Sequence, residues 1–289
     1  MSNYLIGVDD GHGMETAGKR TPPLKSKLVF RGNTYKKGEI IHENDLNENL
    51  MEKFIKRCKD LNIDTIQLAS GDSDVSLSAR VKKANSNDLD ILISFHANAL
   101  EGSKWQSKAN GLVVIHHENC QSKTKELANS VYKYLKDVDW NNNGGTKYGV
   151  RSDKDISGFS LYILKNTKAP AILIEYGFMD NWNDIKQMVD EEFQDKCVDA
   201  TLKGVCEVLG VPYKSLEVAT NINVSEGEFR VRILTETLNI RENPSVKYPI
   251  VGQVKKGDAY TIVSETNNFG KLKSGAGWIS LNSKYVEKL

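Results

Sequence analysis

Residues 4–20 read "YLIGVDDGHGMETAGKR". An apolar run, Leu5–Val8, closes on Asp9 and Asp10 and then on a histidine held between Gly11 and Gly13. That is the pattern of a buried strand whose backbone turns sharply at its carboxyl end and displays an imidazole there. Two later runs end in the same way. "ILISFHAN" (91–98) runs apolar into His96, and "AILIEYGF" (171–178) runs apolar into Glu175. In an open α/β sheet the carboxyl ends of parallel strands line the ligand crevice. Three groups far apart in the chain are therefore expected on one edge.

Working outward from these runs, the strand candidates are Tyr4–Asp9, Thr65–Ala69, Ile91–His96, Gly111–His116, Ser160–Leu164 and Ala171–Glu175. Helical patterns lie between them. Leu46, Leu50, Phe54, Cys58 and Leu61 recur at spacings of three and four, as do Leu127, Val131, Leu135 and Val138. A last helix carries Phe193, Cys197, Leu202, Val205 and Leu209, and Gly210 and Pro212 stop it. Residues 1–213 are thus predicted to be an α/β domain, a twisted, mostly parallel sheet flanked by helices on both faces. Residues 214–228 are polar and without period, as a linker would be. From residue 229 to 289 short β-rich runs alternate with turn signals, which predicts a small all-β barrel.

Composition sets limits on the function. A formal net charge of +1 gives no global attraction to nucleic acid. No stretch reaches the ~18 apolar residues of a membrane span, so no membrane insertion is expected. The first residues, "MSNYLIGVDD", lack a basic n-region, an apolar h-region and a cleavage site. Cys58, Cys120, Cys197 and Cys206 form no CxxC pair and are expected to stay reduced and structural.

Two histidines and a carboxylate with one open position make a recurrent catalytic zinc arrangement. Beside His12 and His96, Glu43 is the best-placed carboxylate, at the start of the first amphipathic helix. His42 is its rival; Glu15 lies too close to His12, and Glu39 falls in a loop. His116 and His117 read as solvated strand-end residues, and Arg80 as a structural ion-pairing residue rather than a catalytic one. Asn98, two residues past His96, falls on the same strand face and suits either substrate contact or a turn. The segment from Lys19 to Lys37 carries Lys19, Arg20, Lys25, Lys27, Arg31, Lys36 and Lys37 with no acid among them. It reads as a solvated loop, or as a rim that attracts anions.

The ordered set "VDDGHG", "HENDLN", "LSARVKKAN", "ISFHANA" and "APAILIEYGFMDN" resembles the motifs of zinc-dependent N-acetylmuramoyl-L-alanine amidases of the Amidase_3 type. The resemblance implies Zn²⁺ held by His12, Glu43 and His96, with Glu175 as the catalytic acid/base. The implied reaction is hydrolysis, in bacterial peptidoglycan, of the amide joining the muramic acid lactyl group to L-Ala of the stem peptide. The basic insertion departs from the family's usual continuation after the first motif and looks more like phage-lysin versions. "TETLNIRENPSVKYPIVGQVKKGD" and "GAGWISLNSKYV" resemble a bacterial SH3-like (SH3b) wall-binding domain. The resemblance implies Leu238 and Ile240 facing the barrel core and Trp278 half-buried near a loop groove, as a core residue or, alternatively, a ligand platform. Together these imply a phage or prophage endolysin, or a lytic autolysin. It would be made in the bacterial cytoplasm without a signal peptide and act on the wall after release, for instance by a holin-type partner. The alternatives are a zinc peptidase cutting within the stem peptide and an inactive wall-binding protein.

Overall fold

The computed structural model describes residues 4–69, 73–138, 149–213, 228–246, 248–266 and 268–289. The chain divides into two compact units, residues 1–213 and 214–289. The expected linker lies outside the described residues apart from Glu228. Among the described residues, no helix is long and apolar enough to cross a membrane.

The first unit contains β1 (Leu5–Asp9), β2 (Leu28–Phe30), β3 (Asn33–Tyr35), α1 (Glu43–Asp60), β4 (Asp64–Gln67), α2 (Leu77–Asn85), β5 (Ile91–Asn98) and β6 (Leu112–His116). It continues with α3 (Ser122–Leu135), β7 (Gly149–Ser152), α4 (Asp153–Ser157), α5 (Tyr162–Asn166), β8 (Ala171–Phe178), α6 (Trp182–Met188) and α7 (Glu191–Leu209). Six strands form one sheet in the order β4-β1-β5-β8-β6-β7. The pairs β1–β4, β1–β5, β5–β8 and β6–β7 are parallel, and β6–β8 is antiparallel.

The central strands are apolar on both faces because helices cover both. Period two sorts their residues: Ile91, Ile93 and Phe95 of β5 and Ile172, Ile174 and Tyr176 of β8 face the core under α1, α3 and α7. Leu92, Ala171 and Leu173 face the opposite core, with Val81 of α2 and Ile163 of α5. Each such side chain contributes about 1.5–3 kcal/mol on burial. Cys58, Cys197 and Cys206 are buried and unpaired, and burial pushes each of these thiols up, so they pack as small hydrophobes.

The structure corrects three expectations. Ser160–Leu164 is not a strand: α5 occupies this stretch and buries Ile163 and Leu164 side by side. Leu161 and Ile163 fit an alternating pattern, but so short a run also fits one helical turn. The 19–37 segment is not simply a solvated loop, since it holds the β2–β3 hairpin. Leu24, Phe30 and Ile41 pack in a third core with Leu46, Ala97, Met179 and Ile185. Finally, β5 and β8 run past His96 and Glu175 to Asn98 and Phe178, with a bulge between His96 and Asn98 that breaks the strict alternation.

The second unit is an antiparallel sheet of β9 (Phe229–Ile233), β10 (Thr237–Arg241), β11 (Ile250–Lys255), β12 (Ala259–Thr266), β13 (Phe269–Leu272), β14 (Trp278–Ser280) and β15 (Val286–Lys288). Their order is β11-β10-β14-β13-β12-β9-β15. Leu238 and Ile240 are buried with Val231, Ile262 and Ile279. Trp278 is half-buried, as expected, and of the two roles left open for it the core one is not taken: it lies outside that cluster, with Lys271 Nζ 6.0 Å from its ring centre.

Candidate active site and metal centre

The turn after β1 brings His12 into position. Gly11 has φ +46°, and a Cβ there would collide with the His96 ring. His12 itself has φ 63°, a left-handed conformation that costs energy for a non-glycine residue. Side chains from two helices hold it. Arg80 Nη2 donates to the His12 carbonyl (2.6 Å), and Asn44 Nδ2 donates to the Gly11 carbonyl (3.3 Å). Arg80 Nη1 donates to Asp9 Oδ1 (2.5 Å) and Asp10 Oδ1 (3.2 Å), and Ser94 Oγ donates to Asp9 Oδ2 (2.6 Å). Arg80 is therefore a structural clamp on the loop that carries His12.

Glu43, at the first position of α1, is 1% exposed. Its Oε1 lies 3.0 Å from His96 Nδ1 and 3.4 Å from His12 Nε2, and it accepts from Ala97 N at 3.3 Å. One ligating atom from each of His12, Glu43 and His96 lies within 4.8 Å of the others. The other carboxylate oxygen, Oε2, is buried without a hydrogen bond and faces Lys19 Nζ at 3.5 Å. Burial pulls the His12 imidazole down to about 4, leaving it neutral and able to ligate. Against its burial, the His96 hydrogen bond and charge, with His12 and Lys19, hold Glu43 down at about 2. Two imidazoles and a buried carboxylate with an unsatisfied oxygen suit a divalent cation such as zinc.

Glu175 pairs in register with His96 on the neighbouring strand. Its Oε2 is buried with no partner. Burial, and the negative charge of Glu43, push this carboxyl up to about 7 against the pull of His96 and Lys19. A carboxyl poised near neutrality suits proton transfer.

The other residues read from the sequence lie outside this group. His42 stands just before α1 without a side-chain capping bond, its Nδ1 buried and unpartnered, and Glu39 accepts from Lys36 N at 2.6 Å. Asn98 Oδ1 accepts from Ala99 N at 2.8 Å, a turn bond. His116 and His117 end a strand antiparallel to β8, so they are carried to the opposite edge of the sheet. There His117 Nδ1 lies 2.9 Å from the buried Asp153, a firmer tie than a solvated strand end would have. Sequence reasoning missed Lys19 as a neighbour of the site. Its place is set by a backbone bond from Glu43 N to Lys19 O (2.9 Å), which no local pattern announces.

The model of the Amidase_3 family, N-acetylmuramoyl-L-alanine amidase, matches residues 6–207. The chain belongs to that family. A bacterial SH3 domain model matches residues 236–287 of the same amidase chain. An endolysin of Bacillus phage SPP1 is 24% identical over 98% of this chain and 97% of its own length. The germination-specific N-acetylmuramoyl-L-alanine amidase of Bacillus subtilis is 26% identical over 71% of this chain and 79% of its own. The crystal structure of an N-acetylmuramoyl-L-alanine amidase from Clostridium difficile 630 covers 74% of this chain and all of its own, with TM-score 0.57 and 22% identity, and supports the fold.

Proposed function

We infer that this amidase hydrolyses peptidoglycan at the amide between the N-acetylmuramic acid lactyl group and L-Ala, with His12, Glu43 and His96 holding Zn²⁺. The observation that carries this reading is the convergence of three ligand-competent side chains on one sheet edge, with Glu175 in register beside His96. When bound, the metal supplies Lewis acidity that polarises the amide carbonyl and lowers the pKa of a water. The chain's own part is proton handling and positioning. Glu175 Oε2 takes a proton from the attacking water and delivers it to the leaving nitrogen as the C–N bond breaks, giving a lactyl carboxylate and a free peptide amine. Arg80, Asn44 and the glycine turn hold His12 against the strain of its backbone. The amide nitrogen of Asn98 has no partner among the described residues and is assigned to substrate on the same edge.

The C-terminal unit is assigned to wall binding, which the bacterial SH3 match supports. The near full-length phage endolysin relative supports an endolysin role, and release to the wall is assigned, as part of this proposal, to a holin-type partner.

Glu175→Ala tests the mechanism. Clearing of a wall suspension is expected to slow by roughly 100-fold or more, the usual weight of a general base, with metal content unchanged. Clearing at the wild-type rate would refute the role of Glu175. Removal of the metal by a chelator should abolish clearing and added Zn²⁺ should restore it. Products carrying new alanine amino termini, with no cleavage inside the peptide, separate this activity from a stem-peptide peptidase.

A further inference from the structure

The two oxygens of the Glu43 carboxylate meet different surroundings. Oε1 faces the histidines, 3.0 Å from His96 Nδ1 and 3.4 Å from His12 Nε2, and accepts from Ala97 N at 3.3 Å. Oε2 makes no hydrogen bond: it is buried, and it faces the ammonium of Lys19 at 3.5 Å. A buried carboxylate oxygen without a hydrogen bond is costly, and the Lys19 charge is what offsets that cost here.

The backbone fixes Lys19 in this place. Lys19 N donates to Thr16 O at 3.2 Å, which closes a turn, and Gly18 takes φ 77° within it. Glu43 N donates to Lys19 O at 2.9 Å and Thr21 N to Ile41 O at 2.9 Å, while Arg20 and His42 pair antiparallel between them. The start of the insertion is thus fastened along the residues that lead into α1. Glu43 is tied to Lys19 twice, through its amide and through its carboxylate. Other cations of the insertion are engaged elsewhere: Lys25 sits over the Trp105 and Trp182 rings, and Arg31 pairs with Glu48 and Glu52. Among the described residues, Lys19 Nζ has no ion pair besides the one with Glu43. Its side chain is 41% exposed, so the amine reaches the buried oxygen from the rim of the site.

A carboxylate binds a divalent cation through one oxygen or through both. A catalytic zinc centre has three protein ligands and keeps its next position open for water or substrate. Two oxygens from Glu43 would crowd that position. A positive charge beside Oε2 competes for this oxygen and leaves Oε1 to the metal; groups just outside a metal site orient its ligands in this way. We propose that Lys19 is a positioning residue that holds Oε2 of Glu43 and so limits the carboxylate to one-oxygen metal binding through Oε1. This rests on the metal reading of His12, Glu43 and His96 given above.

The test uses the whole protein with Co²⁺ in place of Zn²⁺, because the visible absorption of Co²⁺ is intense in a four-coordinate site and weak when the coordination number rises. The wild type is expected to give the intense band. Lys19→Met, which keeps an unbranched stem and removes the charge, should still take up Co²⁺ but lose most of that absorption. With Zn²⁺, its clearing of a wall suspension should fall by about 10–100-fold, the usual weight of a group that orients a metal ligand. Lys19→Ala should show the same spectral loss, and Lys19→Arg, which keeps a cation, should retain the intense band. An unchanged spectrum in Lys19→Met or Lys19→Ala overturns the proposal, as does an equal loss in Lys19→Arg. Failure of Lys19→Met or Lys19→Ala to take up Co²⁺ also overturns it, since Lys19 would then hold the site together rather than restrict Glu43. A wild type that binds Co²⁺ with the weak absorption of a higher coordination number overturns this proposal and leaves the metal reading intact. A wild type that takes up no Co²⁺ refutes the metal reading, and this proposal with it.

Discussion

A guanidinium with 1% of its surface exposed has to meet its charge inside the fold, and Arg80 does so with Asp9 at 2.5 Å and Asp10 at 3.2 Å while also binding the His12 carbonyl at 2.6 Å. Removing it would leave two buried acids without their cation. Arg80→Met is expected to cost about 3–5 kcal/mol, the usual penalty for breaking a buried pair. It should also lower metal content by freeing the His12 turn; urea denaturation and metal analysis read the two effects. Asp153 is the counterpart on the opposite edge. Against its burial, the His117 hydrogen bond and the N–H groups of Leu161 and Glu118 hold its carboxyl below the usual range. A depressed carboxyl stabilises the fold above its unfolded pKa of about 3.9 and loses that contribution as pH falls through the lower folded value. Acid should therefore weaken the wild type more than Asp153→Asn, which starts out less stable at neutral pH; denaturation midpoints from pH 3 to 7 check this. At this scale the sequence was most legible for His12, Glu43, His96 and Glu175, whose types stand out where apolar runs end or a helix begins. Partners were not legible, since Arg80 meets groups 68 to 71 residues away.

Helices α3 and α7 pack so closely that a Cβ on Gly204 would lie 2.6 Å from the Val131 backbone nitrogen. Gly204 O also accepts from Ser130 Oγ at 3.0 Å. Gly204→Ala is expected to push the helices apart and cost roughly 1–3 kcal/mol, as overpacking does, with a matching fall in thermal midpoint. Long elements were readable because their apolar spacing repeats. Leu46, Leu50, Phe54 and Cys58 are all buried along α1, and α7 stops at Gly210 in a left-handed conformation. Short elements were not. β7 is a four-residue strand, Gly149–Ser152, with no residue fully buried, too brief and too polar to show a period. α5 offers only one turn. The β2–β3 hairpin was obscured by the basic residues around it, although Leu24, Phe30 and Ile41 carry its packing.

Each of the two units has its own buried cluster, Val231, Leu238, Ile262 and Ile279 in the second and the sheet cores in the first. A chain cut after residue 213 is expected to fold and to hydrolyse a soluble muropeptide at close to the wild-type rate, while clearing intact walls more slowly; parallel assays on the two substrates read the difference. Loss of both activities would show that the second unit does more than anchor. The topology of the first unit has a temporal consequence. β5 and β6 leave the ribosome one after the other, yet β8 fills the slot between them. A nascent chain that has not reached residue 171 therefore has an open slot where the central strand belongs. The strand that closes it also delivers Glu175. Completing the sheet and placing Glu175, the proton carrier proposed above, are thus one event in biosynthesis.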